Sequence, residues 1–346
     1  MVLTGYLLIL GRSLINPLIT AFIIALIVKP MGSRMESWGF SRGLASVLSI
    51  LIIFILLAGL SMFFSMQINN ITNDLDTIGN RFSKVIDQTY QFIEKTLGVK
   101  PEEQTAYLKD GLQRLLENSS SFFQNTLSAT AGFLTGFFLF LIGLFFMLYY
   151  RSFFVSFLYR SFKDGKHAQV QKTLYKVEGV VRSYILGLFL VISIIAVLNT
   201  LGLTLLGIEH AVFFGVLAAL LTVIPYVGVF IGSLLPVIFA LVTKDSLWYP
   251  LGVVLLFGFV QFLEGNFITP NVVGDKVSIN PFAAIMSLFL GGLLLGTIGM
   301  IFAIPLLAIA KVICDSIESL KPIGYLLGSP PSKKARKFGK RGHLKR

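Results

Sequence analysis

Long apolar runs alternate with polar segments along the chain, and four of the runs are long enough to be membrane helices. They cover residues 3–28, 44–66, 127–150 and 184–206. A helix needs about 20 apolar residues to cross the roughly 30 Å hydrocarbon core of a bilayer. The runs are continuously apolar, whereas the strands of a membrane β-barrel alternate. The pattern predicts an all-α, polytopic membrane protein whose first helix is retained and kinked near Pro17.

The apolar stretch 211–311 differs from these runs because proline and glycine interrupt it at short intervals. The interruptions are Pro225, Gly228, Gly232 and Pro236, then Asn266, Pro270, Gly274, Asn280, Pro281, Gly291, Gly292, Gly296, Gly299 and Pro305. Backbone that leaves the helix inside a bilayer must line a cavity or be covered by protein. Paired, interrupted segments are typical of a substrate or ion site in a transporter. The C-terminal half is therefore expected to contain broken, re-entrant helices.

We expect two re-entrant hairpins, at about 211–242 and 282–311, that enter from opposite faces and meet near the midplane. Ordinary full spans with proline kinks are the alternative. The length of 211–224 favours a hairpin slightly, because it is short for a spanning helix.

A polar insert at 67–126 carries its own helical pattern. Apolar residues at three- and four-residue spacing between Leu75 and Leu97 predict an amphipathic helix. Pro101, followed by two acidic residues, predicts the start of a second helix. The insert should form a helical hairpin outside the membrane. Its apolar face either packs on its own chain or contacts another subunit, and the second alternative implies the homo-oligomer that we expect.

The distribution of charge orients the chain. Lys and Arg concentrate in 29–43, 151–182 and the C-terminal tail, and basic loops near membrane ends face the cytoplasm. The insert has six basic and eight acidic residues and can face outward. The predicted segments are N-terminal membrane helices 1–66, extracytoplasmic helical insert 67–126, membrane helix 127–150, basic cytoplasmic loop 151–182, transport core 183–315 and basic cytoplasmic tail 316–346.

Composition agrees with a membrane protein. Hydrophobic residues make up 55% of the chain, the mean hydropathy is +0.81 and only 13% of residues are charged, about half the usual share. The single cysteine, Cys314, excludes an intramolecular disulfide. Much of the net charge of +12 lies in the tail, where 333–346 holds eight basic residues and no acid. In a membrane protein such a tail indicates attraction to anionic lipid rather than to nucleic acid.

Candidate chemistry lies mainly in the broken stretch. No catalytic or metal-binding motif is visible, so we expect no enzyme, no metal and no cofactor. Polar and ionisable groups are expensive inside a bilayer, and each is a functional hypothesis by default. The candidate substrate- or ion-binding residues are Asn199, Pro225, Tyr226, Gly228, Gln261, Glu264, Asn266, Pro270, Asp275, Asn280, Gly292 and Gly296.

Structural alternatives stand beside these assignments. Glu264 could be an interfacial acid, and Asp275 could reach the headgroup level. Asn266 and Asn280 could cap hairpin ends. The glycines at four-residue spacing allow close helix approach, which serves either static packing or a sliding surface.

Three short motifs together resemble the autoinducer-2 exporter (AI-2E) family of bacterial membrane transporters. They are Ile-Pro-Tyr-Val-Gly at 224–228, Gly-Asn-Phe-Ile-Thr-Pro at 265–270 with Val-Gly-Asp at 273–275, and Gly-x-x-Gly-Met with a downstream proline at 296–305. The order of the elements is also similar from about Leu14 to Asp315. One departure is Asn271, which stands where some relatives carry arginine.

The resemblance implies a multi-pass secondary transporter of the bacterial cytoplasmic membrane that exports a small polar signal or metabolite of the autoinducer-2 type. A Na⁺/H⁺-type antiporter that titrates Glu264 or Asp275 is one alternative. A non-transporting membrane scaffold, whose insert recruits partners, is the other. The expected partners are the lipid bilayer, a small polar solute and, for the antiporter, H⁺ or Na⁺.

Overall fold

The computed structural model describes residues 2–73, 119–162, 167–225, 227–273 and 279–329, and these ranges are almost entirely helical. The α-helices are α1 (Val2–Leu10), α2 (Arg12–Ser37), α3 (Arg42–Asn73), α4 (Ser119–Tyr149), α5 (Arg151–Ser161), α6 (His167–Leu205), α7 (Ala211–Leu221), α8 (Val227–Thr243), α9 (Trp248–Leu263), α10 (Thr269–Val272), α11 (Pro281–Ser316) and α12 (Lys321–Leu327). Five described helices are long and apolar enough to cross a membrane, or six if the bent pair α4–α5 is one span. The all-α, polytopic prediction is confirmed.

The first apolar run is interrupted at a different position from the one expected. The sequence placed a kink near Pro17, whereas α1 ends at Leu10 and α2 begins at Arg12. Gly11 between them has φ −83° and ψ 1°, far from the helical ψ near −42°. Pro17 and Pro30 both lie inside α2. The irregularity is mild, because Gly11 still donates to the Leu7 carbonyl at 2.9 Å and accepts from the Ile15 amide at 2.9 Å.

Helices extend into segments that the sequence analysis treated as polar. The segment 151–182 was expected to be a loop, but α5 and the start of α6 cover its described residues. Of the insert 67–126, α3 extends to Asn73 and α4 begins at Ser119. The predicted helices between Leu75 and Leu116 lie outside the described residues.

Two compact units divide the chain. One comprises Met1–Ser49, Ile142–Val191 and Glu264–Arg346 and is called the hairpin-two unit below. Its core contains Ile23 of α2, Val181 of α6 and Phe302 of α11. The other comprises Ile50–Leu141 and Ile192–Leu263 and is called the hairpin-one unit. Its core is formed by buried residues of α6, the α6–α7 connection, α7, α8 and α9, namely Leu203, Ile208, Ala211, Phe214, Ala218, Phe239, Ala240, Val253 and Phe257.

In the hairpin-one unit, α7 and α8 form a short helical hairpin with a turn at 222–225. A β-carbon added to Gly232 would lie 2.9 Å from the Ala218 Cα, and one added to Gly228 would lie 1.6 Å from the Leu221 carbonyl oxygen. The two arms therefore touch through backbone. α7 has 11 residues, which is about 16 Å of helix and half of a hydrocarbon core. Of the interruptions expected in this stretch, the one at Pro225 is present, whereas Gly228, Gly232 and Pro236 lie inside α8.

In the hairpin-two unit, α11 reverses direction at Gly296, which has φ 66° and ψ −147°. A β-carbon on Gly299 would lie 2.0 Å from the Gly291 carbonyl oxygen, and one on Gly291 would lie 3.4 Å from the Ala303 Cβ. In a straight helix, eight residues separate Cα atoms by about 12 Å along the axis. Only a fold-back of the chain brings Gly291 and Gly299 together, so 281–316 consists of two antiparallel arms.

The first part of segment 264–280, where interruptions were expected, is helical. The apolar helix continues from Trp248 to Val272, with a π-helical turn at Glu264–Ile268 just before Pro270. Proline donates no backbone hydrogen bond, and its ring clashes with the carbonyl four residues earlier. The wider π turn relieves that clash, and such turns occur inside α-helices. Gln261, Glu264, Asn266 and Pro270 therefore lie in one apolar helix rather than in a loop.

Candidate functional site

The tip of the second hairpin is held by a polar side chain from α2. Asn16 Nδ2 donates a hydrogen bond of 3.0 Å to the Leu295 carbonyl, one residue before the reversal at Gly296. Carbonyls in the last turn of a helix lack intrahelical donors, and a side-chain amide can supply one. On α1, a β-carbon on Gly5 would lie 3.9 Å from Leu294 Cδ2. Both N-terminal helices thus pack beside the hairpin tip.

The other polar atom of the same amide, Oδ1, finds no partner in the part of the chain that the structure describes. Asn16 Oδ1 is buried and accepts no hydrogen bond from any described residue. A buried acceptor left unsatisfied costs about 1–3 kcal/mol. The cost disappears when a ligand donates a hydrogen bond or a cation binds, so Asn16 Oδ1 is a candidate ligand-binding atom.

The depth of this site follows from the length of α2. Lys29 of α2 forms an ion pair with Glu178 of α6, and Glu36 forms one with Arg151. Asn16 is thirteen residues before Lys29, a helical distance of about 20 Å. Measured from its charged end, the hairpin tip lies at a depth comparable to the interior of a roughly 30 Å hydrocarbon core.

The basic segments of the hairpin-two unit share one end. The two ion pairs connect the C-terminal part of α2 with α6 and with the start of α5. Gln169 Nε2, near the start of α6, donates to the Ser316 carbonyl at the end of α11. The segments 29–43 and 151–182, both rich in Lys and Arg, therefore lie together. In membrane proteins, Lys and Arg concentrate at the helix ends on one face of the membrane. The grouping of these basic ends agrees with that rule.

Asn199, in α6, is a second buried amide. It is only 2% exposed, and its Oδ1 has no hydrogen-bond partner among the described residues. The neighbouring Thr200 packs against α7, because a β-carbon on Gly215 would lie 2.3 Å from Thr200 Oγ1. The unpaired acceptor therefore lies beside the tight contact between α6 and the first hairpin.

The predicted site residues fall in both units. Asn199, Pro225, Gly228 and Gln261 belong to the hairpin-one unit; Glu264, Asn266, Pro270, Asn280, Gly292 and Gly296 belong to the hairpin-two unit. Tyr226 and Asp275 lie outside the described residues. Pro225 lies in the first turn, and Gly228 shapes that hairpin. A β-carbon on Gly292 would lie 3.0 Å from Met300 Cγ, across the second hairpin.

Asn280 has a structural role that its polar atoms define. Its Oδ1 accepts a hydrogen bond of 2.7 Å from the Ala283 amide and caps α11. Its Nδ2 donates to the carbonyls of Leu326 and Gly328, at 2.5 and 3.3 Å. Asn280 thereby joins the start of the second hairpin to the segment that follows α12.

The residue that sequence reasoning missed is Asn16. It directly precedes Pro17, where the sequence predicts a kink. The available signal was an amide in the middle of an apolar run, which inside a membrane must find a partner. Its partner is 279 residues away, and no pattern along the chain identifies a contact at that separation.

Comparisons with known proteins indicate a membrane transporter. A sequence profile described as "AI-2E family transporter" matches residues 1–319. YueF of Bacillus subtilis (strain 168) is 26% identical over 333 residues, which are 89% of this chain and 85% of YueF. The AI-2 transport protein TqsA of Escherichia coli (strain K12) is 25% identical over 328 residues, covering 92% of this chain and 90% of TqsA. YrrI of B. subtilis is 33% identical over 139 residues, about 40% of each chain.

The profile match extends over most of the chain, including both hairpins and the N-terminal helices that hold the second hairpin tip. Five to six apolar helices agree with a multi-pass membrane protein. The chain belongs to the AI-2E family of membrane transporters.

Proposed function

We propose that this transporter exports a small polar signal or metabolite of the autoinducer-2 type, and that Asn16 at the second hairpin tip contacts the solute. The observation that carries this proposal is the buried, unpaired Asn16 Oδ1 beside the Leu295 carbonyl. A small solute with hydroxyl groups can donate hydrogen bonds to Asn16 Oδ1 and to the Leu295 carbonyl oxygen. The relative TqsA, named as an AI-2 transport protein, supports the solute class.

The hairpin geometry supports transport through a broken helix. Half-helices that end inside a membrane point partial charges at a bound solute. The second hairpin ends at Gly296, and its arms contact each other through Gly291 and Gly299 without intervening side chains. Because glycines form this contact, the two arms pack closely enough to enter the membrane together as one narrow hairpin.

We also propose that the shared basic end faces the cytoplasm of a bacterial cell, with the second hairpin entering from that side. The ion pairs Lys29–Glu178 and Arg151–Glu36 connect three helices, α2, α5 and α6, at that end. Positive charge near membrane ends is retained inside, and this rule supplies the orientation.

Solute efflux from proteoliposomes tests the proposal. The full chain is reconstituted with internal autoinducer-2 or small polyols of similar size, and efflux is measured with and without ion gradients. We expect Asn16→Ala to lower the rate at least tenfold, about 1.4 kcal/mol of binding or barrier energy. The control is Asn70→Ala, at an exposed position of α3. Normal efflux in Asn16→Ala, or no efflux from the wild type with any solute, would overturn the proposal.

A Na⁺/H⁺-type antiporter is the second candidate, and Glu264 is the observation that favours it. This half-buried carboxyl group begins the π turn inside an apolar helix. Ionisable groups at such positions are typical of ion pathways. Proton flux driven by a Na⁺ gradient should then disappear in Glu264→Gln, and Asp275→Asn tests the other carboxylate. If both variants retain full flux, the carboxylate mechanism is wrong.

A further inference from the structure

An aromatic ladder continues from the end of α4 into α5. The rings of Phe146 and Tyr150 stack at 5.7 Å, Tyr150 meets Phe153 edge-on at 6.4 Å, and Phe153 meets Phe154 at 6.0 Å. Phe153 is 66% exposed and Phe157 60%. The exposed surface of a candidate membrane helix thus passes without interruption onto the next helix.

The direction of α5 agrees with a helix lying in a membrane interface. It has 11 residues, none of them buried, and it is bent by 66° from α4. A helix at this angle to a spanning helix runs close to the membrane plane. Its start is fixed by the Arg151–Glu36 ion pair. Interfacial helices place aromatic residues at the boundary between headgroups and acyl chains.

A cavity opens where this ladder meets the start of α3. Its volume is about 430 Å³, and its lining residues are Ser41, Arg42, Gly43, Tyr149, Tyr150 and Phe153. Arg42 is exposed, and within the described residues no carboxylate forms an ion pair with it. The cavity therefore combines an arginine that pairs with no carboxylate of the described residues and two tyrosines at the expected membrane boundary.

We propose that α5 lies in the headgroup layer and that the Arg42 cavity binds the phosphate of an anionic phospholipid. A guanidinium group binds phosphate oxygens through two parallel hydrogen bonds. Tyrosine suits the same depth because its ring is apolar and its hydroxyl is polar. The cavity is of the size that holds a small polar group, and the acyl chains would lie along the exposed rings of Phe146 and Phe153. The negative potential of a cytoplasmic leaflet adds attraction to this basic end.

Bound lipid is the first measurement. Wild-type protein is purified from membranes that contain phosphatidylglycerol, and the retained lipid is counted by native mass spectrometry. Thermal unfolding in mild detergent is followed as phosphatidylglycerol or phosphatidylcholine is added. We expect phosphatidylglycerol alone to raise the unfolding temperature, and Arg42→Gln to reduce both the shift and the retained lipid at least fivefold. Arg42→Lys, which keeps the charge but not the two parallel bonds, should be intermediate.

Arg34→Gln is the matched control, because Arg34 is an exposed arginine of α2 at the same basic end but outside the cavity. Equal loss of lipid in the Arg34 and Arg42 variants would indicate general charge attraction and overturn the site. If inorganic phosphate alone gave the same thermal shift as the lipid, the occupant would be a soluble anion and the lipid proposal would fail.

The position of α5 is tested independently with a nitroxide label at Phe157→Cys in a Cys314→Ser background. In liposomes, we expect the label to lie within about 10 Å of the phosphate level, accessible to oxygen and partly to a water-soluble nickel reagent. A label exposed fully to water, or one shielded from both reagents by a second copy of the chain, would contradict an interfacial α5.

Discussion

Among single residues, Asn16 is notable because the two polar atoms of its side-chain amide differ in role. One atom makes a structural hydrogen bond, and the other is a buried acceptor that pairs with no described residue. Its Nδ2 binds the Leu295 carbonyl, while Oδ1 remains buried and unpaired. Leucine has a similar volume and no polar atoms. Asn16→Leu removes the buried acceptor, which relieves about 1–3 kcal/mol, and leaves the Leu295 carbonyl without its side-chain donor, which costs a similar amount.

We therefore expect Asn16→Leu to abolish solute efflux while changing the free energy of unfolding by less than about 1.5 kcal/mol. Efflux from proteoliposomes and thermal unfolding in detergent measure the two effects. Asn70→Leu in α3 controls for replacement of an exposed amide. Parallel loss of stability and transport would show that Asn16 acts only by holding the hairpin.

Glycines lie where the arms of each hairpin approach each other most closely. A β-carbon on Gly228 would lie 1.6 Å from the Leu221 carbonyl oxygen, and one on Gly299 would lie 2.0 Å from the Gly291 carbonyl oxygen. Each alanine substitution there forces backbone apart, which costs about 1–3 kcal/mol. We expect Gly228→Ala and Gly299→Ala to lower the unfolding temperature in detergent.

The matched controls are Gly59→Ala and Gly258→Ala, which introduce the same methyl group where no atom lies within 4 Å. Alanine is a better helix former than glycine by about 1 kcal/mol, so these variants should be neutral or more stable. Equal destabilisation at all four positions would mean that the hairpin arms do not touch.

At the scale of elements, the apolar runs could be predicted from the sequence because hydrophobicity over 20 residues is a local property. All four runs coincide with helices, and the C-terminal breaks were expected from proline and glycine content. The positions of individual breaks were harder to predict. The first run is irregular at Gly11, and a π turn accommodates Pro270 without ending the helix, because a proline or glycine marks a weak point without fixing how the backbone responds.

The site was less predictable than the helices for the same reason. Gly296 was expected to interrupt the helix. Its φ of 66° is identified as a reversal of the chain only by the contact between Gly291 and Gly299. The sequence presents Asn280 as a candidate binding residue. Its hydrogen bonds show instead that it caps α11 and ties the start of that helix to Leu326 and Gly328. Long-range contacts decide both assignments.

The second hairpin can be tested by a distance. In a straight helix, residues 282 and 313 would be about 46 Å apart. Because the chain reverses at Gly296 and packed helices are about 8–10 Å apart, spin labels at Phe282→Cys and Ile313→Cys should be within about 25 Å. Both side chains are exposed, and the background is Cys314→Ser. Pulsed electron paramagnetic resonance measures the distance.

The control pair for this distance is Leu44→Cys with Asn70→Cys, in the continuous helix α3. Their separation should be about 39 Å. A distance near 46 Å for the first pair would establish α11 as one straight span, which would remove the hairpin and the site at its tip.

At the scale of the whole molecule, sidedness follows from the charged ends of the helices. The ion pairs of Lys29 with Glu178 and of Arg151 with Glu36 gather one set of ends. α6 has 39 residues, about 58 Å of helix, so we expect its two ends to emerge on opposite sides of a bilayer. Beyond its far end, Lys244 pairs with Glu209 at 3.7 Å and lies over the Tyr249 ring at 5.7 Å.

In intact cells, a membrane-impermeant thiol reagent should therefore label Leu247→Cys but not Ser37→Cys or Ser161→Cys, all in a Cys314→Ser background. In inverted membrane vesicles the pattern should reverse, because basic ends face the cytoplasm. Leu57→Cys, within apolar α3, should resist labelling in both preparations because the reagent does not enter hydrocarbon. If Ser161→Cys and Leu247→Cys reacted in the same preparation, α6 would not cross the membrane. The depth argument for Asn16 would then lose its reference point, since it assumes that the end containing Lys29 and Glu178 marks one membrane face.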